Sequence, residues 1–319
     1  MNLGAVNRIL VICPGAIGDV LVATPTVRTL KMAFPKAHLT CVTQVDVKDV
    51  LINNPDIDEL LIYDSKSVLR RVACQPEYDL AIHLMGAFDT IFLVSGAKYK
   101  VGRYNTEIGH FYPYNVHADV SKAVDVIDHF LAFTRALGLK DASRETNLFL
   151  TSEENNFAES LWKDSGLTGA ERVVGLHPGG CNLKRLWAVK NYAQVADELI
   201  ANSGCRIVVF QGPGEIKIAE SVCREMHNQA LLVPLLEIRK YAALVKKCHL
   251  LITSDGGPLH IAAAVGVNLL GIFRDELSTN RWFPYRDKQN CCHFVDSPST
   301  NISLIDVVNA ALKLISNHK

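Results

Sequence analysis

Short runs of β-branched and other apolar residues alternate along this chain with amphipathic stretches, and glycine-containing turns separate many of them. Predicted strands such as Arg8–Cys13 and Val173–His177 each lead into a glycine turn. Alternating strands and helices favour parallel pairing, because each helix carries the chain back across the sheet. The pattern therefore predicts doubly wound α/β sheets, with ligands bound at the carboxyl ends of the strands.

The strand–turn–helix order starts a second time after a polar stretch at Asp141–Ser152. A chain of 319 residues has room for about two domains of roughly 150 residues each. We predict two Rossmann-like domains, residues 1–150 and 151–319, that face each other across a cleft. The last helix is a candidate to pack back on the first domain.

Proline positions and apolar runs also predict the bounds of single elements. A helix is expected over Val20–Phe34, stopped by the following proline, and a strand over Lys100–Tyr104. Asn268–Phe273 is the last clear strand of the pattern.

Composition excludes several classes of protein. The 33 basic residues balance 33 acidic ones, which argues against binding nucleic acid through bulk charge. No apolar run reaches the length of about 18 residues that a membrane-spanning helix needs, and the first residues lack the order of a secretion signal. The nine cysteines are odd in number and scattered, without a Cys-x-x-Cys pair, so we expect a reduced, cytoplasmic protein.

The first predicted strand leads into a turn that contains Gly15, Gly18 and Asp19. Glycines let the backbone approach a ligand, and the helix N-terminus behind them attracts negative charge. Asp19 either caps this helix or points into the cleft as a base. The turn lacks the spacing of a dinucleotide fingerprint or of a P-loop, which argues against a dinucleotide dehydrogenase.

A second turn follows a predicted strand and contains Asp255, Gly256, Gly257, Pro258 and His260. Backbone amides at the start of the following helix suit a phosphate or pyrophosphate. A purely structural turn needs only one glycine and a cap, so this composition favours a binding function.

Two further glycine turns follow predicted strands. The first contains His177, Gly179 and Gly180. Two cations and an aromatic residue follow it, and they could hold phosphates and a base or sugar face. A solvated charged turn explains these residues equally well. The second turn begins at Gln211, and a structural role is at least as plausible there. The cations and the aromatic residue that follow the first turn are Lys184, Arg185 and Trp187.

Other polar groups favour structural explanations. Lys98 and Arg103, with a lysine between them, either face an acidic acceptor or form the solvent side of a strand. The pair Asp56 and Asp58 matches a short pattern of metal-dependent sugar transferases, but its surroundings indicate a turn. The Asp125 and His129 side chains share a helix face without a third ligand, so no metal site is predicted.

Taken together, these segments resemble the ADP-heptose:lipopolysaccharide heptosyltransferases of glycosyltransferase family 9. The resemblance extends in order from Arg8 to about Pro284. The most specific parts are the opening with GDVLVATP and the segment SDGGPLH. The matching stretches are ILVICPGAIGDVLVATPTVRTLKMAFP, FTRALGL, VVGLHPGG, RLWAVKNYAQVA, VVFQGPGE and LLITSDGGPLHIAAAVGVNLLGIF.

The resemblance implies a GT-B fold, an acceptor-binding first domain, a nucleotide-sugar-binding second domain and inverting transfer without a metal. It implies that Asp19 is the general base and that Asp255 is the donor-side acid. The charge on departing ADP would be stabilised at a helix N-terminus. Expected donor-binding residues are His177, Gly179, Gly180, Lys184, Arg185, Gln211, Asp255, Gly256, Gly257, Pro258 and His260, and expected acceptor-binding residues are Gly15, Gly18, Lys98 and Arg103.

The sequence departs from the family pattern near the expected donor. Gly256 stands where the family usually has Thr or Ser, and Arg274-Asp-Glu replaces a usual Gly-Pro-Thr. Arg185 takes the place of a lysine, with Lys184 one position earlier. Alternatives therefore stay open: another nucleotide sugar, an epimerase, or a non-catalytic sugar-nucleotide-binding protein.

The expected partners are a nucleotide sugar and a glycan or glycolipid acceptor, without nucleic acid. No cofactor beyond the donor is expected. A peripheral contact with the inner membrane surface would follow from a lipid-linked acceptor.

Overall fold

The computed structural model describes residues 4–63, 66–74, 77–85, 95–103, 114–170, 172–180, 182–284, 290–296 and 302–316. The chain divides into two compact units, residues 1–149 and 150–319.

The first unit contains a parallel sheet of six strands in the order β3-β2-β1-β4-β5-β6. Its two central strands are buried at every position except Arg8, and their residues are apolar apart from Arg8 and His83 at the ends, as expected where helices cover both faces of a parallel sheet. The strands are β1 (Arg8–Ile12), β2 (His38–Gln44), β3 (Glu59–Tyr63), β4 (Leu80–His83), β5 (Tyr99–Arg103) and β6 (Val116–Ala118).

The helix predicted over Val20–Phe34 is instead two helices, α1 (Ile17–Val22) and α2 (Thr24–Ala33). Pro25 lies in the first turn of α2, because proline has no backbone N–H and is tolerated only at a helix start. The Thr24 hydroxyl donates to the Leu21 carbonyl at 2.7 Å and satisfies one of the last carbonyls of α1. Two further helices of this unit are α3 (Lys66–Cys74) and α4 (Val126–Arg135).

The second unit repeats the arrangement with a parallel sheet in the order β12-β11-β10-β7-β8-β9. The strand predicted at Asn268–Phe273 is observed, but Cys291–Val295 pairs beside it as a further strand. All five residues of that strand are only partly buried, so neither an alternating nor a continuous apolar pattern marks it. The strands are β7 (Val173–His177), β8 (Arg206–Val209), β9 (Leu231–Leu232), β10 (Leu250–Ser254), β11 (Asn268–Phe273) and β12 (Cys291–Val295).

The last helix packs against the core of the second unit. Val307, Ala311 and Leu314 are buried in the core cluster that the second sheet and its helices form. The Asn268 side-chain amide donates to the Leu314 carbonyl at 2.7 Å and fixes the helix end. The helices of this unit are α5 (Ser152–Asp164), α6 (Val189–Ser203), α7 (Ile216–Glu225), α8 (Ile238–Lys246), α9 (Gly257–Val265), α10 (Glu276–Trp282) and α11 (Leu304–Ser316).

Each sheet has one switch point, where successive connections leave in opposite directions. It lies between β1 and β4 in the first unit and between β7 and β10 in the second. The carboxyl ends of the strands at such a point open a crevice for ligands. The glycine turns after β1, β7 and β10 therefore stand at ligand-binding positions of their own units.

Within the described parts of the chain, no helix is both long and apolar enough to span a bilayer.

Candidate functional site

The switch point of the second sheet brings together two of the predicted glycine turns. β7 ends at His177, and β10, its direct neighbour, ends just before Asp255. The Thr253 hydroxyl donates to the His177 carbonyl at 3.0 Å and ties the two strand ends together.

Protein groups surround the His177 ring, which is 3% exposed. Its Nε2 lies 3.0 Å from Glu215 Oε2, and its Nδ1 lies 3.1 Å from the Tyr241 hydroxyl. Burial raises the pKa of Tyr241 well above its usual value, so its hydroxyl stays protonated. The Glu215 carboxylate can only accept, so the hydrogen of the His177 ring lies on Nε2, and Nδ1 accepts from the Tyr241 hydroxyl. His177 therefore donates through Nε2 to Glu215 and holds this turn from within, rather than presenting a ring nitrogen to a ligand.

The Glu215 carboxylate occupies the space between the two glycine turns. It accepts from the Gly212 amide at 2.6 Å and from the Gly180 amide. A Cβ at Gly179 would lie 2.1 Å from Glu215 Oε2, so a larger residue there would force this carboxylate out of its position. Burial acts to raise the pKa of Glu215, but its bonds with His177 and the two amides outweigh burial and lower the pKa.

An ion pair joins Arg185 to the end of β10. The Arg185 guanidinium lies 3.0 Å from Asp255 Oδ2, and the Arg185 side chain remains 46% exposed. Burial and the nearby Asp275 carboxylate raise the pKa of Asp255, while Arg185 opposes them. Lys184 is exposed on the same 3-10 turn. Two cations therefore follow the turn after β7, one of them held by a carboxylate at the end of β10.

The segment that carries these cations is anchored at both ends. The Asn182 side chain accepts from the Lys184 amide, and the Trp187 amide donates to the Ser254 hydroxyl at 3.1 Å. Trp187 is buried and packs edge-on against Tyr192. Its ring therefore belongs to the core of the unit, whereas its position in the sequence suggested that it stacks on a base or a sugar.

Helix α9 begins at this crevice with Gly257, Pro258 and, in its first turns, His260. Burial lowers the pKa of His260 to about 4, so the ring is neutral near pH 7. Its Nδ1 is buried and has no hydrogen-bond partner among the residues that the structure describes. A buried polar atom without a partner is costly, which marks it as a position where a ligand atom can bind.

Gly256 precedes this helix in an extended conformation, with φ 165° and ψ −172°. A Cβ there would meet only Pro258 Cδ, at 3.7 Å. The backbone therefore has room for a side chain at this position, and none is present. Gln211, by contrast, is buried and its amide donates to the Val233 carbonyl at 2.9 Å, which gives it a structural contact.

Asp19 lies in the first turn of α1, at the switch point of the first sheet. Its Oδ2 accepts from the Ala16 amide at 2.8 Å, as a helix-capping carboxylate does. A Cβ at Gly15, whose φ is +131°, would lie 2.7 Å from Asp19 Cβ, so the glycine makes room for this side chain. Gly18 is buried in the same turn.

The structure separates the two basic residues predicted to bind an acceptor. Lys98 precedes β5 and lies at the amino edge of the sheet, with its ammonium 5.2 Å from the Tyr99 ring centroid. Arg103 is the last residue of β5 and lies at the opposite, carboxyl edge. Only Arg103 shares an edge with Asp19.

The sequence analysis missed His83, which ends β4 at the first switch point and is buried. Its Nδ1 lies 2.8 Å from the Tyr114 hydroxyl, and the Tyr114 ring occupies the space where Gly102 would carry a side chain. The signal in the sequence is a histidine directly after the short apolar run Leu80, Ala81 and Ile82.

The two dismissed metal patterns have structural roles. Asp58 accepts from the Leu39 amide and pairs with Lys31 at 2.6 Å. Asp125 caps α4 and pairs with Arg144 at 2.5 Å. Across the described ranges, no group of three or more metal-ligating side chains is found.

Comparison with known proteins gives the family. The family model "Glycosyltransferase family 9 (heptosyltransferase)" matches residues 67–304, more than half of the chain. The lipopolysaccharide core heptosyltransferase OpsX of Haemophilus influenzae is 22% identical over 288 residues, which cover 86% of this chain and 81% of that protein.

Solved structures show the same fold. A family 9 glycosyl transferase from Veillonella parvula DSM 2008 superimposes with a TM-score of 0.85 at 23% identity, covering 97% of both chains. The E. coli heptosyltransferase WaaC with ADP gives a TM-score of 0.71 at 17% identity, covering 97% of this chain and 99% of that one. The predicted α/β GT-B fold class is confirmed, and the chain belongs to glycosyltransferase family 9 and is a glycosyltransferase.

Proposed function

We propose that this enzyme transfers a heptose, or a closely related sugar, from ADP-heptose to a lipopolysaccharide-core or other surface-glycan acceptor. The observation that carries the donor side is the buried Nδ1 of His260 near the start of α9, which has no hydrogen-bond partner among the described residues. Family membership supports the reaction class, and the relative solved with ADP supports the nucleotide.

The donor diphosphate is proposed to lie at the N-terminus of α9. Backbone amides there carry partial positive charge, and Arg185 and Lys184 add two full charges. His260 is neutral and contributes as a hydrogen-bonding group, not as a cation. As the bond between the anomeric carbon and the diphosphate oxygen breaks, these groups stabilise the negative charge that departs with ADP.

Asp19 is proposed as the general base of the first unit. The acceptor hydroxyl oxygen attacks the anomeric carbon while its proton passes to the Asp19 carboxylate, and the ADP oxygen leaves with the bonding electrons. Attack opposite to the leaving group inverts the anomeric centre. No metal is required in this proposal, because helix amides and side-chain cations offset the charge. The first unit would bind the acceptor, and the second would bind the donor.

A cytoplasmic location with peripheral contact at the inner face of the cytoplasmic membrane is part of the proposal, because a lipid-linked acceptor would be met there. No nucleic acid partner and no cofactor are proposed.

A thermal-shift screen against ADP, UDP, GDP, CMP, NAD and ADP-heptose tests the donor. A ligand present at a hundred times its Kd adds about 2.7 kcal/mol of stability. Shifts with ADP and ADP-heptose alone would support the proposal. A shift with UDP or GDP instead would reject ADP-heptose, and a shift with NAD would reject a transferase donor site.

A different nucleotide sugar is the second candidate, and two observations favour it. Gly256 offers no hydroxyl to a donor, and Asp275 places a second carboxylate near Asp255. Arg274 does not compensate, since it pairs with Asp296 at 2.5 Å. The same screen separates the two candidates.

A further inference from the structure

The glycine turns after β7 and β8 already hold an anion that belongs to the protein. The Gly212 and Gly180 amides donate to the Glu215 carboxylate, and His177 donates to it through Nε2. A carboxylate that accepts backbone amides within a turn occupies the position that a bound phosphate takes in other glycine turns.

The contacts extend to four elements of the second unit. Glu215 lies just before α7, His177 ends β7, and Tyr241 reaches the His177 ring from α8. Thr253 on β10 binds the carbonyl of His177. We call Glu215, His177 and Tyr241, with the two amides of the turns, the Glu215 network.

We propose that Glu215 is a positioning residue that fills the anion site of these two turns from within, fixes both turns and directs the donor diphosphate to the start of α9. The glycines at 179 and 180 then serve the Glu215 carboxylate, and not the donor phosphates as the sequence suggested. The geometry supports this assignment, because a Cβ at Gly179 would lie within 2.1 Å of the carboxylate. The role in donor binding rests on the proposed function.

Removing the carboxylate while leaving the turns intact provides the test. In Glu215→Ala, two backbone amides and the His177 N–H lose their acceptor, so formate can bind in place of the missing carboxylate. We expect sodium formate to raise the Tm of Glu215→Ala above the Tm in sodium chloride of equal ionic strength. The wild type and Glu220→Ala, which loses an exposed carboxylate from the same helix, should show no such difference.

Kinetics with ADP-heptose separate positioning from general loss of stability. We expect KM for the donor to rise about tenfold in Glu215→Ala with kcat nearly unchanged, and formate to lower it again. A merely structural loss would reduce the active fraction, and therefore kcat, without changing KM.

Glu215→Gln keeps the side-chain volume if Glu215→Ala fails to fold. Its amide group faces at least one N–H donor, so we expect a lower Tm, a higher donor KM and no response to formate. A folded Glu215→Ala that does not respond to formate would overturn the proposal, as would a Glu215→Gln variant with wild-type Tm and KM. The Tm measurements need no turnover, so they stand even if the wild type does not use ADP-heptose.

Discussion

Asp19 shows how one side chain can combine a structural and a chemical role. One oxygen of its carboxylate accepts the Ala16 amide at the start of α1, which fixes the direction of the side chain. A carboxylate has a second oxygen, so capping and proton acceptance are compatible in the same residue.

Asp19→Asn separates these roles, because the asparagine carbonyl can still accept the Ala16 amide but cannot take a proton. We expect Tm to change little and transfer to fall by about a hundredfold or more. Asp19→Ala should lose both activity and part of the helix cap, at a cost of about 1 kcal/mol. Radiometric or coupled ADP-release assays beside thermal unfolding would check this, and near-normal turnover in Asp19→Asn would rule out the base.

His260 gives stability a specific pH dependence. Its folded-state pKa is about 4 against an ordinary value of 6.5, because burial disfavours the charged ring. As the pH falls, the unfolded chain binds the proton before the folded protein does. The contribution of the neutral His260 ring to the free energy of unfolding is therefore complete above pH 6.5 and is lost as the pH falls toward 4. The loss is roughly 3 kcal/mol at most.

His260→Gln should therefore show a flatter loss of unfolding free energy between pH 6.5 and 4 than the wild type. Urea unfolding at a series of pH values would measure this. Parallel profiles for wild type and His260→Gln would contradict the assignment.

At the scale of elements, the glycine turns of the second unit differ in what they tolerate. Gly179→Ala would drive its Cβ into Glu215, whereas Gly256→Ala meets only Pro258 Cδ at an ordinary van der Waals distance of 3.7 Å, in an extended backbone. Since Glu215 can only make room for the Cβ at position 179 by giving up its bonds with the Gly212 amide and His177, we expect a loss of about 2 kcal/mol for Gly179→Ala and a change within about 0.5 kcal/mol for Gly256→Ala. Chemical denaturation of both variants would check this, and equal losses would disprove it.

The strands at the centre of each sheet could be predicted because their apolar runs are continuous and end in glycine turns. Helix α5 was not predicted, although the capping pair Thr151 and Glu154 marks its start. The first residues of this helix adjoin the polar stretch that was interpreted as the boundary between the domains. The composition of the turns predicts a binding site at the carboxyl ends of the strands, and this stays a prediction. It could not show that the glycine at 179 accommodates Glu215, because that contact joins the ends of different strands.

At the scale of the whole molecule, the proposed chemistry relies on charges that are covalently part of the chain. Helix amides, Arg185 and Lys184 do not dissociate on chelation. We expect turnover in excess EDTA to stay within about twofold of the untreated enzyme. If activity were lost in EDTA and restored by a divalent cation, the metal-independent mechanism would be refuted. A metalloenzyme treated with EDTA in parallel is the control, because its loss of activity shows that chelation was effective.

The strand order of the sheets also bears on how the chain folds. In the first unit β1 pairs with β2 and with β4, so Leu10 meets both Thr40 and, much later in the chain, Ala81. In the second unit β7 meets β10 only after two intervening strands have been made. Pairings between distant residues must first overcome the entropy of closing a long loop. During synthesis each ligand crevice is therefore completed only when its fourth strand has left the ribosome, and until then the apolar edge of β1 or β7 is a surface that chaperones would need to protect.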